Sequence, residues 1–359
     1  MFNKKFWNYF WNTLKESKWL LLRYFLMGVY LTIVGIISNR LKLNYLTYYN
    51  AMITMLFFGE MIAFGFLEGF GIYINQNITD KDKSKKYTKC GFYFTIITTL
   101  ILILILAIFP NFILTNIFNL TFEYDTAFYY IMLVVLFFNT LFSYYTHVLK
   151  KIGEFKIQTL ISVILCITII FGLIILLCFG KLLLIPIGII YLLTTIFCTI
   201  FAHIMLIKNK NYSINLLNFE KLNLSKHELK TIIERALSEV IWEIGYFFIS
   251  LFILKVNIIT YNQYCYFENI LDILNGLFFA FVSVVSIKIC RCIGEEKYTE
   301  AYEHGKNSIK STIIIWIIYA LISLSCFIPL QKGMNSELQS TAFISLCLFL
   351  TVSLLRFIE

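Results

Sequence analysis

What most constrains this chain is a set of runs that are apolar on nearly every helical face and long enough to cross a bilayer. Residues 19–38, 90–109, 126–148, 157–180 and 182–207 are such runs, and each reaches the roughly 20 residues that a membrane-crossing helix needs. A helix on the surface of a soluble domain would keep a polar face opposite its apolar stripe. Further runs at 236–254, 261–289, 311–330 and 340–357, with a longer one at 45–75, bring the expectation to ten spans. Composition agrees: 59% of residues are hydrophobic and 14% charged, against about 45–50% and 25% in ordinary soluble domains. Lipid satisfies no backbone hydrogen bond, so runs of this kind predict helices. The expected fold class is all-α and polytopic. The first run is too long for a signal peptide and lacks a small-residue cleavage site, so it is expected to stay as a span.

The net charge of +9 raises nucleic acid as a partner, and the placement of the basic residues argues against it. With the N-terminus inside, 23 lysines and arginines fall on the cytoplasmic side: Lys4 to Lys18, Lys81 to Lys89, Lys150 to Lys156, Lys208 to Arg235 and Lys288 to Lys310. Five fall outside, namely Arg40, Lys42, Lys181, Lys255 and Lys332. Arg23 and Arg356 sit at the inner ends of their spans, where they can snorkel to the surface. This asymmetry obeys the positive-inside rule and predicts a multi-pass protein of the cytoplasmic membrane, with membrane lipids and no nucleic acid as partners. The nine cysteines lie in or beside apolar runs and the four histidines are scattered. Neither pattern has the ligand spacing of a metal or disulfide framework. No phosphate-cradling loop or nucleophile elbow occurs, so neither an enzyme nor a bound cofactor is expected.

The longest polar interruption, 208–235, divides an N-terminal lobe of six spans, 1–207, from a C-terminal lobe of four, 236–359. Its mixture of charges with Leu216, Leu217, Phe219, Leu222 and Leu224 predicts a cytoplasmic linker lying partly on the membrane surface. Weak similarity between the stretches starting at Ile78 and Ile293, each after a long span and before a cytoplasmic loop, fits the repeated halves of many transporters. A repeat would call for six spans in the second half, which is therefore expected to be truncated.

Several short motifs resemble, in order, the multidrug and toxic compound extrusion (MATE) family, within the superfamily that also holds lipid-linked oligosaccharide flippases. SEVIWEIG at 238–245 resembles the start of the family's seventh helix. Asn262 with Glu268, Asn269 and Ile270 resembles the eighth, and ICRCIGEEKYTEAY at 289–302 the helix end and acidic loop that follow. In the first half the similarity is carried by INQ at 74–76, TDKDKS at 79–84, FPNFIL at 109–114 and VLKKIGEFK at 148–156. The resemblance implies two six-helix lobes facing each other across a cavity that opens alternately to either side. Where the family commonly has an acid midway along helix one, this chain has Val34 or Gly35. Where it often has a proline before the helix-seven glutamate, this chain has Arg235 and Ala236.

An ionisable group within a span costs at least about 2.5–3.5 kcal/mol on insertion scales and calls for a functional reading. The candidates for ion coupling or substrate binding are Glu239, Glu243, Glu268, Asp272, Glu60 and Glu68. Glu239 leads, because burial and the family resemblance agree on it. Glu239 and Glu243, like Glu268 and Asp272, are four apart and share a helix face. Within the apolar runs that carry these two pairs the only base is Lys288, too far along its helix to neutralise them. Glu60 and Glu68 could stand in for the missing helix-one acid. The aromatics Tyr48, Tyr49, Tyr144, Tyr145, Trp242, Phe247 and Phe248 suit flat cations if they line a cavity, although lipid-facing or interfacial positions are the more ordinary expectation. The reading is an ion-coupled antiporter, driven by H+ or Na+, that exports small organic cations as a multidrug efflux transporter and works as a monomer. A lipid-linked saccharide flippase and a non-transporting truncated remnant are the alternatives.

Overall fold

The computed structural model of the protein describes residues 4–120, 125–210, 212–217 and 224–331. Among them every regular element is helical. After a short α1 (Lys4–Glu16) come α2 (Lys18–Ser38), α3 (Leu43–Gln76), α4 (Lys81–Ile108), α5 (Thr126–Ile152), α6 (Phe155–Cys178), α7 (Leu184–Ile207), α8 (Lys226–Val256), α9 (Ile258–Gly294) and α10 (Tyr298–Gln331). Helices α2 to α8 are each long and apolar enough to cross a membrane. The expected spans at 261–289 and 311–330 fall inside α9 and α10, and the tenth, at 340–357, lies outside the described residues.

Local chemistry sets the helix ends. Asp80 caps α4 by accepting from Lys83 N at 3.1 Å, and Asp125 caps α5 by accepting from Ala127 N at 3.0 Å, so that orphan first-turn amides are satisfied. α4 stops just before Pro110, whose ring disfavours helical geometry in the residue ahead of it, and a π-helical turn, Phe112–Ile117, follows. Gly153 closes α5 in the left-handed conformation at φ 92°, as a C-terminal cap requires. Three helices start well before their apolar runs. α4 begins at Lys81 rather than near Cys90, α8 at Lys226 rather than Ala236, and α10 at Tyr298 rather than Ser311. α8 has a capping box: Ser225 accepts from Glu228 N at 3.2 Å while Glu228 accepts from Ser225 N at 2.7 Å. Hydropathy marks only the apolar part of such a helix, and the charged first turns stand outside it.

The chain forms two compact units. One comprises Val29–Asn269 and contains α3 to α8; the other comprises Met1–Gly28 with Ile270–Glu359 and contains α1, α10 and most of α9. In the first unit α3 is the hub, packed on α4, α5 and α8. Its glycines make the α8 contact possible: a Cβ on Gly65 would lie 2.8 Å from the carbonyl oxygen of Ala236, and one on Gly69 2.8 Å from that of Ile232. Two glycines four apart let helix backbones meet within lipid, where packing rather than water expulsion drives association. Several span hydroxyls are satisfied one turn back, as when Thr140 donates to the Leu136 carbonyl at 2.8 Å and Thr195 to that of Tyr191 at 2.7 Å.

The buried tyrosines correct the expectation that the aromatics face lipid. Tyr48, Tyr49, Tyr144 and Tyr145 are all buried between helices, whereas Phe248 is exposed. Tyr48 donates to the Asp125 carbonyl at 3.0 Å, and the hydroxyls of Tyr49 and Tyr191 lie 2.9 Å apart. Tyr144 donates to the Thr88 carbonyl, so the phenols of Tyr48, Tyr49 and Tyr144 find partners inside the protein, which a lipid-facing position would deny them.

Gly65→Ala is expected to destabilise the purified protein by about 1–3 kcal/mol, since the added methyl meets backbone. Gly245, on the same contact partner α8, has nothing within 4 Å, so Gly245→Ala should leave stability unchanged or raise it by up to about 1 kcal/mol through helix propensity. Thermal unfolding of both variants in detergent distinguishes the two.

Candidate ion-coupling site

The α3–α8 contact fixes the level of every polar group around it. Gly69 stands opposite Ile232, Gly65 opposite Ala236, and further along Phe58 stacks on Phe247 with centroids 4.5 Å apart. The helices therefore run antiparallel, and Glu60 on α3 lies at the level of Glu243 on α8. Glu60 is partly buried and receives hydrogen bonds from Asn139 and Ser143, which are one turn apart on α5. These two partners are neutral amide and hydroxyl donors in the middle of an apolar helix.

Glu68, two turns further along α3, has a different environment. Lys151 Nζ lies 2.7 Å from Oε2, Lys150 Nζ 3.3 Å from Oε1 and His147 Nδ1 3.5 Å from Oε1. All three bases are on the last turns of α5 and are less than 10% exposed. A Cβ on Gly71 would come within 2.5 Å of Lys151 Cε, so the absence of a side chain there makes room for the lysine. Two lysines around one buried carboxylate form a structural knot, and removing one member would leave uncompensated charge.

A polar layer continues beyond this knot towards the linker. Tyr87 on α4 donates to Glu228 of α8. Ser84 and Thr88 place their hydroxyls 2.8 Å and 2.9 Å from that of Tyr212, and Ser84 also donates to the Ile74 carbonyl at 3.1 Å. Burial pushes the Tyr212 hydroxyl up to about 12 against the opposing effect of the Ser84 and Thr88 hydrogen bonds. It therefore stays protonated through the neutral range. At the other end of α3, Asn50 donates to Asn262 at 2.7 Å, Asn262 donates to Thr47 at 3.2 Å, and Thr54 meets the Tyr261 hydroxyl at 2.9 Å. Asn262 therefore joins α9 to α3. On α2, in place of an acid, Tyr30 contributes a hydroxyl 3.5 Å from that of Tyr191.

Of the six sequence candidates, four have described side chains. Glu239 is ion-paired with Arg235 one turn upstream on α8, which corrects the expectation that no base lies near the Glu239–Glu243 pair. Arg235 is helical because α8 starts at Lys226, a start that the Ser225–Glu228 capping box makes legible in the sequence. The pair is partly solvent-exposed, 41% at the arginine, and exposed pairs of this kind contribute about 1 kcal/mol or less. Glu243, one turn on, is partly buried. Glu268 and Asp272 lie on α9, with side chains outside the described residues. The structure thus brings Glu60 and Glu243 to one level and ties Glu68 into the lysine knot. Asn139 and Ser143 escaped the sequence reading because neither is ionisable; their signal was two hydrogen-bonding residues four apart in a span.

No protein-family model matches the chain and no curated relative does. Solved structures do. The Vibrio cholerae MATE transporter VcmN, as a mutant, is 12% identical, with TM-score 0.74 over 99% of this chain and 80% of that one. An outward-facing multidrug resistance MATE-family transporter of the MOP superfamily is 15% identical, with TM-score 0.72 over 96% and 78%. A MOP superfamily transporter from Pyrococcus furiosus, described as having a binding pocket of reverse polarity, is 17% identical, with TM-score 0.66 over 86% and 72%. At these identities the likeness is one of fold. The chain has a MATE-like, all-helical, polytopic membrane fold.

Glu68→Gln is expected to cost about 3–5 kcal/mol by leaving Lys150 and Lys151 buried beside a neutral amide. Glu60→Gln, whose amide can keep hydrogen bonds with Asn139 and Ser143, should cost about 1 kcal/mol or less. Denaturant or thermal unfolding of the two single variants checks the contrast.

Proposed function

We propose that the protein is an ion-coupled secondary transporter of the cytoplasmic membrane, exporting small organic cations by alternating access, with its N-terminus inside. The observation that carries this reading is Glu60: a carboxylate within a span of a MATE-like fold, hydrogen-bonded by Asn139 and Ser143. Neutral donors such as Asn139 and Ser143 can hold this group in either charge state, whereas the bases on Glu68 and Glu239 favour the ionised form. A coupling ion and a cationic substrate that compete for this negative charge are driven in opposite directions, since each favours the conformation it binds better. Glu243, at the same level on α8, is the second member of the site, and Glu268 and Asp272 on α9 remain candidates with it. The two lobes, 1–207 and 236–359, joined through 208–235, provide the moving parts, working as a monomer without a bound cofactor.

A lipid-linked saccharide flippase is supported less well. Such a protein needs cavity cations for pyrophosphate, and buried Lys150 and Lys151 are bound to Glu68.

Proteoliposomes loaded with a fluorescent organic cation test the proposal. The wild-type chain should move the dye against its gradient when a proton or sodium gradient is imposed, and Glu60→Gln should abolish the gradient dependence. Gradient-independent traffic in the wild type would contradict antiport. Loss of coupling in Glu239→Gln but not in Glu60→Gln would move the site to α8.

A further inference from the structure

The N-terminal helix α1 was not legible as a span and plays no part in the transport reading, yet it is built with care. It lies across the inner end of α9: the Lys288 ammonium is 2.9 Å from Glu16 Oε2 and 5.9 Å from the Tyr9 ring centroid. One lysine thus reaches two α1 residues seven apart, about 10 Å along a helix. Phe10 packs on Phe281 with centroids 5.8 Å apart, and the Tyr9 hydroxyl lies 3.4 Å from the His304 carbonyl of α10.

At helical spacing α1 has three faces. Phe6, Phe10, Thr13 and Ser17 form the buried one. Lys5 and Tyr9 face α10 across a cavity shared with Glu300, Glu303 and His304. The third face carries Trp7, Trp11 and Leu14, with both tryptophans exposed, Trp11 by 54%. Lys4, Lys15 and Lys18, all exposed, lie along its edge.

This third face stands directly before the first span. Ser17 N donates to the Thr13 carbonyl at 3.0 Å and Leu21 N to the Ser17 carbonyl at 2.8 Å, so Ser17 alone ends α1 and opens α2. Leu22 and Phe25 are exposed on a membrane-crossing helix, so their environment is lipid, and the tryptophans of the short helix that leads into this span stand close to where acyl chains give way to headgroups. Indole rings favour that boundary, and lysines beside it attract anionic headgroups.

We propose that α1 is an interfacial helix whose Trp7–Trp11 face is seated in the cytoplasmic leaflet and whose Lys4, Lys15 and Lys18 select anionic phospholipids. The inference is independent of the transport reading. Because α1 is clamped to α9 and α10 through Lys288 and His304, the composition of the inner leaflet acts directly on those helices.

The full-length protein in nanodiscs of equal parts phosphatidylcholine and phosphatidylglycerol tests this, with bromine on the acyl chains of one lipid or the other. The contribution of Trp7 and Trp11 is the fluorescence difference between the wild type and the Trp7→Phe/Trp11→Phe variant. That difference should be quenched about twofold more by brominated phosphatidylglycerol than by brominated phosphatidylcholine. The preference should fall to none in Lys4→Gln/Lys15→Gln/Lys18→Gln, which leaves every buried residue of α1 in place, and should shrink with added salt. Equal quenching by the two lipids in the wild type would overturn the anionic selection. Absence of quenching by either would overturn the seating in lipid and show that a protein surface, a second copy included, covers the face.

Discussion

The meeting of α3 and α8 at Gly65 and Gly69 is the contact on which the rest of the structure depends. Lipid gives two helices no hydrophobic reason to associate, so what holds them is close packing of backbone on backbone. A side chain at either glycine would collide with the carbonyl of Ala236 or Ile232. Everything polar in this unit is then placed by register. Glu60 falls level with Glu243, Glu68 falls beside the end of α5, and the Tyr87–Glu228 bond closes the layer below.

Placing a carboxylate inside a membrane imposes a choice between two kinds of partner. Glu68 takes the first: Lys150 and Lys151 bring opposite charge to it, and neutralising the carboxylate would leave two buried ammonium groups without its charge in low dielectric. Glu60 shows the second, in the neutral donors Asn139 and Ser143. Donors of that kind hold a carboxylate in position without fixing its charge state. The same helix therefore carries one group suited to structure and one suited to exchange, eight residues apart.

The membrane helices were legible in the sequence because their signal is length and uniform apolarity, and every run among the described residues falls on a helix, overhanging it by two residues at most. Helix starts were less so: the charged first turns of α4 and α8 belong to helices by virtue of their caps, which hydropathy does not see. This has a consequence for the site: the sequence puts Arg235 only four residues before Glu239, which points to a span end, and the early start of α8 turns that spacing into an ion pair one helical turn apart. The partners of Glu60 were not legible either. Asn139 and Ser143 are far from it in the chain, and only the packing of α3 on α5 brings them together. The helix-one position held by an acid in the resembling family is apolar here, and the nearby polar group in the structure is a cluster of tyrosines, Tyr30, Tyr49 and Tyr191. Buried phenols can bond one another without carrying charge.

The central claim is that Glu60 is the group that exchanges its proton or ion. Infrared difference spectroscopy of the purified protein measures this directly, recorded as pH is stepped or sodium is added. A carboxylic-acid C=O stretching band should appear on acidification, be displaced by the organic cation, be absent in Glu60→Gln and survive in Glu68→Gln. A band that is unchanged in Glu60→Gln would contradict the claim.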